Sequence, residues 1–195
     1  MTQYINSWLI LPVDLRNNAT MRCFAVVLFV VLIGLVVARP SYAFVEVIRG
    51  DARVIDGDSI EINGENIRLA GIDAPEKSQI CCLSRYNSRP CGQDARNVLE
   101  RIINNRPMTC SVKKKGRYGR SIANCLVGGI DVSRAMVQSG FALVYRYFSK
   151  RRGFVALDKT YLASEAAAKS NQQGIWATYF VQPNRWRKGE RVYCN

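Results

Sequence analysis

The chain has 195 residues, 48% of them hydrophobic, enough for one domain with a substantial core. It carries 28 lysines and arginines against 15 aspartates and glutamates, a net charge of +13 that suits a polyanion, either nucleic acid or an anionic membrane surface. It has no histidine, which excludes zinc–histidine centres, serine–histidine triads and histidine-based nucleases; any general base must be a carboxylate, a lysine, a tyrosine or metal-bound water.

Residues 1–20 show no clear pattern. Met21-Arg22 then opens an apolar run from Cys23 to Ala38, which ends in Arg39-Pro40-Ser41-Tyr42-Ala43. A basic start, an apolar middle and a small-x-small end make a secretory signal cleaved after Ala43, with Met21 an alternative start. The competing reading is an uncleaved anchor. The run is shorter than the ~20 residues a spanning helix needs, so no stable membrane association is expected after cleavage. Losing residues 1–43 removes three arginines and one aspartate, leaving 25 basic and 14 acidic residues. Six cysteines then remain, Cys81, Cys82, Cys91, Cys110, Cys125 and Cys194, and an even count in an exported chain reads as disulfides.

Phe44 to Ile55 reads as a strand, and Asp56-Gly57 as a turn. Asp58, Ile60 and Ile62 share one face of the next strand, which puts a carboxylate on the apolar side. Such a group needs a cation beside it, either a metal ion or an arginine. Asn63-Gly64 is a second turn, and Asn66 to Ile72 a third strand. Arg68 and Asp73 are five residues apart, so a regular strand points them to opposite faces. If both serve one site the chain must bend between them, and Gly71 is the natural place. Asp73-Ala74-Pro75-Glu76 leaves the sheet.

Lys77 to Pro90 reads as a cysteine-bearing loop. Ala95, Val98, Leu99, Ile102 and Ile103 have the spacing of an amphipathic helix over 92–105. Met108 to Val112 and Ser121 to Val127 are strands on either side of a basic turn, Lys113 to Arg120. Cys110 and Cys125 are equidistant from its centre, so they face each other in a symmetric hairpin, close enough to bridge. Cys91 is expected to close a short loop with Cys81 or Cys82, the Cys81–Cys91 pair being the working assignment; the remaining thiol reaches Cys194. Asp131 caps a helix to about Ser139, Phe141 to Phe148 is aromatic, a last helix runs from about Ala156 to Ser170, and a tail holds Trp186 and Cys194. Glu165 is expected to be a structural ion-pair partner. These elements predict an α+β fold: a five-stranded, OB-fold-like Greek-key barrel with three packed helices.

Four motifs occur in order: Asp56-Gly57-Asp58-Ser59, Ile67-Arg68-Leu69-Ala70-Gly71-Ile72-Asp73-Ala74-Pro75-Glu76, Arg117-Tyr118-Gly119-Arg120 and Gly174-Ile175-Trp176. Together they resemble the staphylococcal nuclease family. The resemblance covers about Val47 to Trp176, within a domain expected over 44–180 and followed by a tail over 181–195, and it implies calcium-dependent hydrolysis of DNA and RNA that leaves a 3′-phosphate. It implies that Asp58, Asp73 and the backbone carbonyl of Ala74 hold Ca2+. By the same resemblance Glu76 activates water, and Arg68 and Arg120 hold the phosphate. Tyr118 and Tyr145 contact the nucleotide, with Tyr147 the competitor of Tyr145. Lys113 and Lys114 in the basic turn are candidates to track a single-stranded backbone, which stacking aromatics grip without base preference. A secreted or periplasmic monomer is expected. The competing reading is a non-catalytic module of the same fold that only binds nucleic acid or protein; loss of the arginines or of Glu76 would mark it, and all are present.

Overall fold

The computed structural model describes residues 45–116, 119–151 and 153–194. The expected signal segment and Tyr118 lie outside the described residues. The main sheet has seven strands, two more than the sequence suggests: one because the first strand is broken in two, the other because a two-residue strand precedes the helix capped by Asp131. The first expected strand is two, β1 (Val47–Gly50) and β2 (Arg53–Asp56). Then follow β3 (Ser59–Ile62), β4 (Glu65–Leu69), β8 (Met108–Lys115), β9 (Ser121–Val127) and β10 (Ile130–Asp131).

The strands lie in the order β1-β8-β9-β4-β3-β2, with β10 added to β9 and with β4 and β9 parallel. β1 and β2 therefore stand at opposite ends of the path, yet two residues, Asp51 and Ala52, join them. Two residues span only about 10 Å between flanking Cα atoms, so the sheet has to roll up until its ends meet. Asn63 Nδ2 crosses that seam to donate to the Arg49 carbonyl at 3.0 Å. The product is an α+β architecture with a curled, OB-like sheet.

The sequence-level features act locally as expected. Asn63 and Gly64 both have positive φ, 53° and 80°, which joins β3 and β4 by the tight turn their residue types favour. Ile60, Ile62, Ile67 and Leu69 fill the interior. Helix α1 (Cys91–Ile103) lays Ala95, Val98, Leu99 and Ile103 into the same core, with Ile102 at its margin. Each large apolar side chain so buried contributes roughly 1.5–3 kcal/mol. Helix α2 (Val132–Gln138) starts where Asp131 accepts a hydrogen bond from the Arg134 N–H at 3.0 Å.

The stretch over 77–90 is not a plain loop. It holds a hairpin of β6 (Cys81–Ser84) and β7 (Asn87–Arg89). Cys81 and Cys82 are buried on opposite faces of β6 while most of the remaining residues are exposed, so no alternation shows. Likewise Lys113–Lys115 belong to β8 rather than to a turn, since the β8–β9 pairing extends to Lys115↔Ser121. Three disulfides are formed: Cys81–Cys91, Cys82–Cys194 and Cys110–Cys125. The last joins directly paired residues of β8 and β9. Downstream, β11 (Leu143–Val144) pairs with β5 (Ile72–Asp73), and β12 (Arg146–Ser149) forms a hairpin with β13 (Gly153–Ala156). The last long helix, α3, is shorter than expected, Leu162–Ser170, because a strand and a 3-10 turn take its first part. Glu165 on α3 pairs with Arg146 and accepts the Val144 N–H at 2.8 Å. A short helix, α4 (Pro183–Trp186), lies in the tail. Among the described residues no helix is long and apolar enough to cross a membrane.

Candidate active site

The bend that the Arg68–Asp73 spacing demands is present. β4 ends at Leu69, Gly71 takes φ 80°, and the chain resumes as β5. The turn cancels the five-residue mismatch, so Arg68 Nη2 lies 2.7 Å from Asp73 Oδ1. The same nitrogen lies 2.7 Å from Asp58 Oδ2. Two carboxylates, one from the turn between β2 and β3 and one from β5, thus converge on one donor. Asp58 Oδ2 also accepts the Ala74 N–H at 3.1 Å, and Asp58 Oδ1 accepts the Ser59 hydroxyl at 3.0 Å.

Both acids are buried, Asp58 at 3% exposure and Asp73 at 6%. Burial pushes the Asp58 carboxyl up to about 7; Arg68 and the Ala74 N–H oppose that, while Asp56 and Asp73 reinforce it. A buried acid with too little positive charge around it is a place where a cation gains most.

Glu76 is set by a different device. Its N–H donates to Gln79 Oε1 at 3.2 Å, and the Gln79 N–H returns to the Glu76 carbonyl at 2.7 Å. Gln79 is fully buried, and its Nε2 donates to the Val181 carbonyl at 2.6 Å. Helix α1 presses on the same turn: a Cβ on Gly92 would stand 1.8 Å from the Glu76 carbonyl oxygen. Only glycine permits that approach, so Gly92 fixes where Glu76 leaves the backbone.

A cleft of about 780 Å³ gathers most of the expected residues: Arg68, Glu76, Lys114, Arg120, Tyr145 and Tyr147. Asp58 and Asp73 adjoin it through Arg68. Arg120 is exposed and stands in the cleft without a hydrogen bond tying its side chain to the acids. Tyr145 and Tyr147 line it equally, so the choice between them left by the sequence stays open. Lys113 is exposed but does not line it. Lys115 is engaged elsewhere, with Glu65 at 2.5 Å and Glu46 at 3.1 Å.

One residue in the cleft was not foreseen. Arg187, from the tail just after α4, places Nη1 and Nη2 each 3.0 Å from the two oxygens of Asp73. Its Nη1 also donates to Glu76 Oε1 at 2.6 Å. Partial burial works against its charge, but the hydrogen bonds to Asp73 and Glu76 outweigh that and push its pKa further up. The only sequence signals for it are the basic run Arg185, Arg187, Lys188 and Arg191 and the return of Cys194 to the cysteine-bearing hairpin.

The oxygen-rich donor set of Asp58 and Asp73 suits a hard divalent cation, which takes carboxylate, carbonyl and water oxygens. Among the described residues no three acidic or cysteine side chains form a complete cage. Two carboxylates therefore need carbonyl or water oxygens to complete a shell, and Arg68 and Arg187 now occupy their oxygens.

Curled sheet and cleft together define the class, a small OB-like α+β domain that gathers acids and guanidinium groups at one side of its barrel. The chain belongs to the family described as staphylococcal nuclease homologue, whose model matches residues 66–178. It is 36% identical over 133 residues to the succinoglycan biosynthesis protein ExoI of Rhizobium meliloti, covering 67% of this chain and 65% of that protein. It is 29% identical over 126 residues to an uncharacterized endonuclease of Haemophilus influenzae, covering 64% and 61%. Protein ParB of Escherichia coli is 31% identical over 188 residues, covering 89% and 93%. The chain thus spans less than two thirds of the first two relatives and nearly all of the third. Asp58 and Arg187 both fall outside the stretch that the family model matches.

Proposed function

We propose that the protein is an exported, calcium-dependent endonuclease, an ester-bond hydrolase that cuts DNA and RNA, single strands favoured, and leaves a 3′-phosphate. The observation that carries the reading is the shared cleft: Arg68, Glu76 and Arg120 line one hollow beside the convergent pair Asp58 and Asp73. Family membership supports it, as do relatives named as endonucleases.

Attack on a phosphodiester builds charge on the phosphoryl oxygens. Arg68 and Arg120 donate to those oxygens, and one preorganised donor of this kind is worth ~3 kcal/mol of barrier. Glu76 takes a proton from the attacking water as its oxygen bonds to phosphorus and the bond to the 5′-oxygen breaks, a contribution of roughly 10²–10⁴-fold. Asp58 and Asp73, with the Ala74 carbonyl, would hold calcium, which supplies Lewis-acid neutralisation of a phosphate oxygen when bound. Tyr145 or Tyr147 offers a face for a base, and Lys114 a charge for the backbone. The signal pattern and three disulfides support a secreted or periplasmic location.

One observation favours a second reading. Asp73 is already neutralised by Arg68 and Arg187, as it would be in a module that binds nucleic acid without cutting it. The two readings separate when the oxidised protein meets single-stranded DNA with calcium and with a chelator. Cleavage that calcium supports and the chelator stops is expected; binding without cleavage in either condition selects the module.

A further inference from the structure

The acid cluster already has a resident cation, and the fold goes to some length to keep it there. The Arg187 guanidinium forks onto both oxygens of Asp73 and reaches Glu76 as well. With Arg68 on Asp73 Oδ1, neither oxygen of Asp73 is free. A divalent ion that uses Asp73 must compete with this fork, which matches a carboxylate better than any other side chain does.

The segment that carries Arg187 is closed on itself. Tyr179 and Cys82 exchange two backbone hydrogen bonds, at 2.9 and 2.8 Å. Cys194 returns to the same Cys82 through a disulfide. Residues 179–194 therefore form a loop whose two ends meet at one residue. Val181 is held by Gln79, and Pro183 is buried. Gln79 also holds the Glu76 N–H, so one buried side chain links the acid to the loop bearing its partner. Closure at both ends keeps the guanidinium at an effective concentration of about millimolar or more over the acids.

We propose that Arg187 is a tethered counter-cation that competes with the divalent ion for Asp73 and Glu76, so that the loop closed by Cys82–Cys194 sets the metal affinity of the site. This rests on the reading of Asp58 and Asp73 as metal ligands. Arg187 occupies one coordination partner in the metal-free protein and yields it when the ion enters. Metal binding is weaker by the free energy of breaking the fork, and a substitution that removes the fork restores it.

The test is calcium titration of the oxidised protein by calorimetry, with no substrate present. Wild type is compared with Arg187→Gln, Arg187→Lys and the Cys82→Ser/Cys194→Ser double variant, each checked for an unchanged far-UV spectrum. Arg187→Gln is expected to bind calcium about tenfold tighter, in the usual range for coupling between two bound groups. Arg187→Lys keeps the charge but loses the fork and falls between. The cysteine variant keeps Arg187 but loosens its tether, and shifts the same way by less. Equal affinity in wild type and Arg187→Gln overturns the proposal. Weaker binding in Arg187→Gln also overturns it, by making Arg187 a scaffold for the acids. Asp73→Asn is expected to abolish the calcium signal; if it survives, the ion sits elsewhere and the proposal falls. If wild type and all variants fail to take calcium, the metal reading itself fails and takes this one with it.

Discussion

The acids of the cleft and the arginine that covers them are built in opposite ways. Asp58, Arg68 and Asp73 come from the β2–β3 turn, β4 and β5, all within sixteen residues, and short turns and one glycine bend bring them together. Arg187 comes from more than a hundred residues further on, and reaches the same carboxylates because a disulfide and a buried glutamine hold its loop. The first arrangement is local and follows from strand periodicity. The second is a long-range closure that no periodicity encodes. A site assembled from nearby strands is rigid by construction, whereas one reached by a tethered loop can be emptied and refilled.

That contrast can be broken most directly at the chemistry. Glu76→Gln and Arg120→Ala are each expected to lower nuclease turnover by about 10³-fold while the melting temperature holds, since both groups stand at the cleft and neither fills the core. Wild-type rates in both variants would detach the cleft from catalysis. The next effect concerns the covalent ties. Cys82–Cys194 closes a separation of 112 residues and Cys110–Cys125 one of 15. In the chain-entropy account, removing the first costs about 4–5 kcal/mol and the second about 3 kcal/mol. Denaturant unfolding of the two double-serine variants checks the order; the reverse order would mean the tail is only loosely held.

A smaller effect separates a structural acid from the candidate catalytic ones. Glu165 accepts the buried Val144 N–H and pairs with Arg146, the two residues that flank Tyr145. Glu165→Ala leaves that N–H unmet and should cost about 1–3 kcal/mol, with metal affinity unchanged. Thermal melts and calcium titration of one sample read both. The smallest effect lies at the Lys115–Glu65–Ser121 cluster, where the exposed Lys115 and the half-buried Glu65 meet the buried Ser121 hydroxyl. Hydrogen bonds from Lys115 first, then Ser121, hold the Glu65 carboxyl below its ordinary value of 4.5. A depressed acid stabilises the fold above its unfolded pKa and loses that contribution as pH falls through its folded value. The melting temperature of wild type should therefore drop slightly more than that of Glu65→Gln between pH 5 and pH 3.

Much of this was legible in advance. The hairpin turn at Asn63-Gly64, the core face of α1, the cap at Asp131, the facing of Cys110 and Cys125 and the bend at Gly71 all depend on a few neighbouring residues. Other features were not. The hairpin at Cys81–Arg89 buries two successive cysteines and leaves most of the rest exposed, so no period of two appears and its pattern looks like loop. The strand at Gly153–Ala156 has no signal of its own, lying between a basic stretch and the expected helix from about Ala156, because its pairing with β12 decides it. Two strands of the sheet do not stand out in the sequence: β1 and β2 merge because apolar residues continue on both sides of Gly50-Asp51-Ala52, and β10 is only Ile130–Asp131, directly before the helix that Asp131 caps.

By itself the order of residues determined which side chains could carry chemistry: strand alternation, turn residues and the spacing of Arg68 to Asp73 put the acids and the first guanidinium on one side of a bent sheet. Only the tertiary structure decided what else those acids meet. The position of Arg187 depends on how a distant loop closes on Cys82 and on Gln79 reaching Val181, and such contacts are set by the whole packed chain rather than by any stretch of it.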